Sequence, residues 1–159
     1  AADLLASEQL AARGYFQELD HPVLGSKRYP TVPYRLSATP VRLERPAPSP
    51  GEHNRLLASM APAAPPTARH QPGAGPLAGI RVLEITKVWA GPYAGKLLAF
   101  LGAEVIKVES AKTLDDMRWF QTKDIDRGPI FLSLNPEVQS VQLNMKSDKG
   151  LEFLRRMIA

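Results

Sequence analysis

The chain of 159 residues contains no cysteine, which excludes disulfides, thiolate nucleophiles and cysteine-ligated metals. Long apolar runs are missing as well. No stretch approaches the roughly 20 residues of a membrane span, and no charged-then-apolar leader opens the sequence. A reducing, cytoplasmic setting is the expectation, with no membrane partner. Basic runs are also lacking: Lys and Arg number 20 against 16 Asp and Glu, but they are scattered singly, so the net charge of +4 argues for an anionic small molecule rather than nucleic acid. His21, His53 and His70 stand far apart, without HExxH or any other metal-ligand spacing, so no metal is expected. No GxGxxG follows the first strand of the βαβ segment described below, and GxxxxGK[ST] is absent, which removes the phosphate cradles of dinucleotide and P-loop folds. The serines lack a nucleophile-elbow context.

What is present falls into three parts. Residues 61–75 form a stretch rich in proline and alanine, with almost no large apolar side chain to bury, and are expected to be a semi-rigid linker. Residues 1–60 are broken by repeated prolines and look poor in core. A short helix over 7–13, capped by Ser7 and stopped by Gly14, and extended pieces over 15–19 and 32–36 are expected to wrap around another body. Residues 76–159 hold the stronger signals. A buried strand at 81–85, a helix at 92–101 with Pro92 in its first turn, and a strand at 104–109 make a βαβ unit, whose short crossover implies parallel strands. Further strands are expected at 130–134 and 140–144, with a last helix after a Ser147 cap. The fold class is α/β, a Rossmann-like parallel sheet. The missing initiating Met and the end of the chain inside an apparent helix point to a piece of a longer protein.

In such a sheet, ligands bind beyond the carboxyl ends of the strands, which singles out the loop Thr86, Lys87, Val88, Trp89, Ala90, Gly91. The free N–H groups of the following helix favour an anionic or carbonyl group, and small Ala90 and Gly91 permit close approach. The plainer account is a tight strand-to-helix turn. Trp89 offers a face for stacking on a flat ligand, although an aromatic beside a strand end is commonly core. His53, in the run Gly51, Glu52, His53, is accounted for by a polar helix start. The adjacent Asp115 and Asp116 are expected to be solvated charges.

Residues 76–110, PLAGIRVLEITKVWAGPYAGKLLAFLGAEVIKVES, closely resemble the opening of the family III CoA-transferases, the group containing formyl-CoA transferase, carnitine CoA-transferase and α-methylacyl-CoA racemase. The AGP turn followed by LGAEVIKVE carries the likeness, which runs on through Asp116, Met117, Arg118 and Trp119 into SVQLNMKSDKGLEFLRRMIA. The earlier stretches LAARGYFQELDHPVLGSKRYPTVPYRLSATP and APSPGEH look like the closing segment of the same family. The resemblance thus implies the tail of one unit, a linker, and the head of a second, in a parent that exchanges CoA between an acyl-CoA and a carboxylic acid and dimerises with an identical subunit. In such enzymes an aspartate attacks the acyl-CoA and becomes an aspartyl-CoA thioester. No residue here matches that aspartate, so no catalytic residue is assigned and the piece alone is expected to be inactive. The positions that line CoA in the formyl-CoA transferase branch correspond to Trp89, Ala90, Leu143, Asn144, Met145 and Lys146. Ser110 and the run Asn135, Pro136, Glu137, Val138 depart from the family, removing cations near an anionic cofactor. That leaves two alternatives, a non-catalytic half kept for docking, or a racemase of the same family.

Overall fold

A computed structural model describes residues 2–41, 43–59 and 75–158, so the expected linker lies almost wholly outside the described residues. Two helical turns open it, α1 (Ala2–Leu5) and α2 (Glu8–Ala12). As expected, Ser7 caps α2, its hydroxyl accepting the Leu10 N–H at 3.4 Å, and Gly14 follows at φ +62.

Strand β1 (Phe16–His21) pairs antiparallel with β2 (Gly25–Pro30), in register from Phe16 opposite Pro30 to His21 opposite Gly25. The expected piece at 15–19 is therefore a strand, displaced by a residue and longer. The piece at 32–36 is not a strand: Pro33 has no N–H to give a ladder, and Val32 is instead buried against Tyr29, Leu43 and Phe100. A short helix α3 (Arg55–Ser59) ends this part.

The second part is a parallel three-stranded sheet in the order β3 (Arg81–Glu84), β4 (Glu104–Glu109), β5 (Gln139–Gln142). Helix α4 (Ala90–Phe100) makes the crossover from β3 to β4, and Gly102 at φ +97 ends it. The central strand β4 is buried on both faces. Val105 packs with Ala99, Ala103 and Val138 on the α4 side, while Ile106 and Val108 pack with Val141, Leu143 and Met157 on the side of α3 and α6 (Asp148–Ile158). This is the α/β class expected, with helices on both faces of a parallel sheet.

The segment expected as a strand at 130–134 is a helix, α5 (Pro129–Leu134). Gly128 precedes it, Pro129 supplies a preset φ at its first turn, and Asn135 closes it by donating its backbone and side-chain N–H groups to the Phe131 carbonyl. A short apolar run has no period that separates strand from helix; the Gly–Pro entry decides here.

Residues 2–59 do wrap onto this body. Tyr29, Val32 and Leu43 cover Phe100, Ala47 covers Phe131 and Leu132, and Leu56 and Leu57 reach the β4–β5 face. The outer edge of β5 is closed by the same segment. His53 N–H donates to the Ser140 carbonyl at 2.8 Å, Ser140 N–H returns a bond to His53 Nδ1 at 3.1 Å, and Gln142 N–H donates to Asn54 Oδ1 at 2.7 Å. An open strand edge is thereby satisfied.

Candidate functional site

The carboxyl ends of β3, β4 and β5 lie on one edge of the sheet, because all three strands run the same way. From β3 the chain leaves through 85–89 into α4. Trp89 is the residue before the helix, 53% exposed, and no side chain caps the helix there, so the first-turn N–H groups of Ala90 and Gly91 face outward unmet by a cap. Gly91 is required: a Cβ on it would sit 2.1 Å from Thr86 Oγ1. From β5 the chain leaves through 143–146. Leu143 is buried in the core and Met145 packs partly against it, whereas Asn144 and Lys146 are exposed. The Asn144 side chain accepts the Lys146 N–H at 3.2 Å and its carbonyl accepts the Ser147 N–H, shaping a tight turn before α6. The backbone of Ala90 and the side chains of Trp89 and Lys146 are therefore presented at one edge, and Leu143 acts from the core side of it.

Beneath these loops lies a buried set of charges that the sequence reading missed. Lys107, at 0% exposure in the middle of β4, lies 2.7 Å from Glu84 Oε1 and 3.0 Å from Asp115 Oδ2, and donates to the Thr86 carbonyl at 3.0 Å. Asp115 is fully buried rather than solvated, a reversal of the expectation for it, while Asp116 is exposed. Asp115 Oδ1 accepts the N–H of Val88 at 3.1 Å and that of Met117 at 3.0 Å, the second capping a 3-10 turn over Asp116–Arg118. Arg118, also fully buried, grips Glu109 with Nε at 3.0 Å and Nη2 at 2.7 Å, donates Nη1 to the Pro48 carbonyl, and stacks 3.6 Å above the Phe131 ring. Burial pushes the Glu109 carboxyl up, but the Arg118 hydrogen bonds and charge outweigh it and hold the group below its ordinary range. The available signal was charge inside an apolar strand, EVIKVE at 104–109, since a lysine and a glutamate facing a sheet interior must be paired.

The fold is of the α/β class with an open parallel sheet, in which the carboxyl edge of the strands is the place where ligands bind. The chain belongs to CoA-transferase family III, whose model matches residues 1–54 and 77–159. Succinyl-CoA:glutarate CoA-transferase of Mus musculus is 40% identical over 85 residues, covering 53% of this chain and 20% of that protein. Formyl-CoA:oxalate CoA-transferase of Streptomyces coelicolor is 42% identical over 84 residues, covering 52% of this chain and 20% of that protein. The chain thus spans about a fifth of the length of these relatives. Among solved structures, a CAIB/BAIF family protein from Brucella suis matches with a TM-score of 0.48 and 33% identity, over 54% of this chain and 24% of that one.

Proposed function

We propose that the parent protein is an enzyme that exchanges CoA between an acyl-CoA and a carboxylic acid, and that this chain contributes the part of it that holds CoA. The single observation that carries the reading is the edge where Trp89 and the uncapped start of α4 stand at the same end of the sheet as the exposed Lys146. The anionic, partly aromatic character of CoA suits it: an adenine ring has a face for Trp89, phosphates have the helix N–H groups and a lysine point charge. In this reading the chain's own part is binding and orientation. The carboxylate nucleophile of the aspartyl-CoA route belongs to residues beyond 1–159, and a piece without it does not turn over.

The same reading assigns residues 1–60 to the tail of a first CoA-transferase-type unit, 61–75 to a linker, and 76–159 to the head of a second. The parent would work in the cytoplasm as a dimer of identical subunits. Calorimetric titration of the folded chain with CoA tests the binding claim, with NAD and ATP as competitors. Saturable CoA binding weakened by Trp89→Ala and by Lys146→Ala is the expected result, whereas a folded chain indifferent to CoA refutes it.

A second reading, a non-catalytic half retained for docking, is favoured by residues 135–138. Asn135, Pro136, Glu137 and Val138 are all buried, and the Glu137 carboxylate is engaged by the N–H groups of Glu44 and Arg45. They serve packing between the two parts and offer nothing to an anionic ligand. Full activity of the parent carrying Trp89→Ala and Lys146→Ala together is the outcome that would select this reading over the first. A racemase of the same family is the remaining variant, distinguished by exchange of the α-proton of an acyl-CoA.

A further inference from the structure

Val88 is a β-branched residue with φ +75, a conformation that L side chains rarely adopt and β-branched ones least of all. It sits immediately before Trp89, at the mouth of α4. Its N–H is not left to water: it is held at 3.1 Å by Asp115 Oδ1, from the 3-10 turn that follows β4. Asp115 is fixed in its turn, with Oδ2 3.0 Å from Lys107 Nζ and Oδ1 also accepting from Met117. Two residues earlier, the loop is held again by Lys107, which donates to the Thr86 carbonyl while paired with Glu84. The two clamps bracket Lys87 and leave Val88 little choice of backbone.

We infer that Asp115 is a positioning residue for the ligand edge: its buried carboxylate holds Val88 left-handed and so aims Trp89 and the first N–H groups of α4 outward. The inference rests on the reading of this edge as the CoA cradle. A left-handed non-glycine residue persists only where its surroundings over-determine it, and such residues cluster at ligand sites. Without the carboxylate, Val88 relaxes to negative φ, and the direction of the chain entering α4 changes at Trp89. The affinity lost is set by the cost of returning Val88 to φ +75 on binding, about tenfold for an L residue. Glycine visits that region freely, so Val88→Gly makes the clamp redundant.

The test combines CoA calorimetry with amide exchange on the full 159-residue chain. Asp115→Ala is expected to weaken CoA binding about tenfold, and in a Val88→Gly background the same substitution is expected to cost less than about threefold. Val88→Pro locks φ near −65° and deletes the N–H while leaving the charges intact, so it should reproduce the loss even if Asp115→Ala does not fold. Exchange of the Val88 amide should rise sharply in Asp115→Ala while β4 amides stay protected. The inference is overturned if Val88 exchange is unchanged in Asp115→Ala, or if the loss of affinity is the same with glycine at 88, since a merely structural role would not depend on that residue. If the wild-type chain ignores CoA, the reading of the cradle fails, and the exchange of the Val88 amide still decides whether Asp115 holds the loop.

Discussion

Replacing Arg118 by methionine removes the guanidinium, with its bonds and its stack on the Phe131 ring, while an apolar stem stays in the site. The guanidinium is fully buried and makes two bonds to Glu109 at 3.0 and 2.7 Å, one to the Pro48 carbonyl at 3.2 Å, and a stack 3.6 Å over Phe131. Its loss leaves Glu109, only 4% exposed, with the Asp115 N–H at 3.0 Å, a longer contact to Ser140 Oγ at 3.3 Å, and no cation bound to it. Breaking a buried pair from one side costs about 3–5 kcal/mol. Against a total stability of about 5–15 kcal/mol, that is a large share, and urea denaturation at pH 7 reads it directly. The pH dependence identifies the cause. In the wild type Glu109 titrates below its ordinary value of 4.5, so its stabilisation is present above 4.5 and is lost as pH falls through the depressed value. In Arg118→Met burial is opposed only by the Asp115 N–H and the Lys107 charge, so the Glu109 value rises from its wild-type position, protonation relieves the variant first and the gap between the two proteins narrows on acidification. Glu109→Leu added to Arg118→Met should recover part of the loss, since an apolar pair avoids the stranded charge. A cost below about 1 kcal/mol, or a gap that does not change with pH, would refute the argument that a paired buried charge sustains this region.

Gly150→Ala places a Cβ 2.0 Å from the Asn144 carbonyl, so α6 must shift against the 143–146 turn; a loss of about 1–3 kcal/mol is expected in thermal melts, and an unchanged Tm counts against the packing described. Burial lowers both His21 and His53 below 6.5, so each contributes stability above pH 6.5 that disappears as pH falls through its lowered value. Melts between pH 7.5 and 5 should therefore show Tm falling, and a flat profile would contradict it. Glu137→Ala removes the acceptor shared by the Glu44 and Arg45 N–H groups and the ion pair with Arg45 at 3.5 Å. Proteolysis around 43–46 should accelerate while β4 amides stay protected, and equal cleavage rates would show that the contact does not hold the segment.

The elements legible in the sequence were those with punctuation. Pro92 and Gly102 bracket α4, and the apolar runs on either side had nowhere to go but a buried parallel sheet, so β3, α4 and β4 were found close to their bounds. Strand β2 was illegible because GSKRYP has no alternation: four of its residues are exposed in succession, and its pairing is imposed by Gly25 at φ +67 after the turn. The helix at Pro129–Leu134 carries no helical period in its sequence because it is shorter than two turns. At the candidate site, Trp89, Ala90 and Lys146 reach the edge that the topology rule picks out, but Asp115 was read as solvated because its partner Lys107 comes from a strand interior. No local pattern encodes a pairing made only by the fold.

That pairing bears on how the two parts of the chain communicate. Asp115 donates its N–H to Glu109 and accepts from Val88; Glu109 is gripped by Arg118; Arg118 holds the Pro48 carbonyl; and Ser140, which donates to Glu109, accepts the Gly51 N–H. A continuous polar path therefore runs from the loop at Trp89 under the sheet edge to the segment 48–53, with few exposed atoms along it. Desolvating three carboxylates and two cations is unfavourable in itself, and a hydrophobic core of equal volume would be at least as stable. What the charges supply in return is directional: nearly every one ends on a backbone N–H or carbonyl and fixes where a chain segment must lie. Loosening residues 43–59 should thus be felt at Val88 and Trp89 through this path. The coupling is measurable as non-additivity, in a double-mutant cycle, between Arg118→Met and Val88→Gly in the exchange of the Trp89 amide.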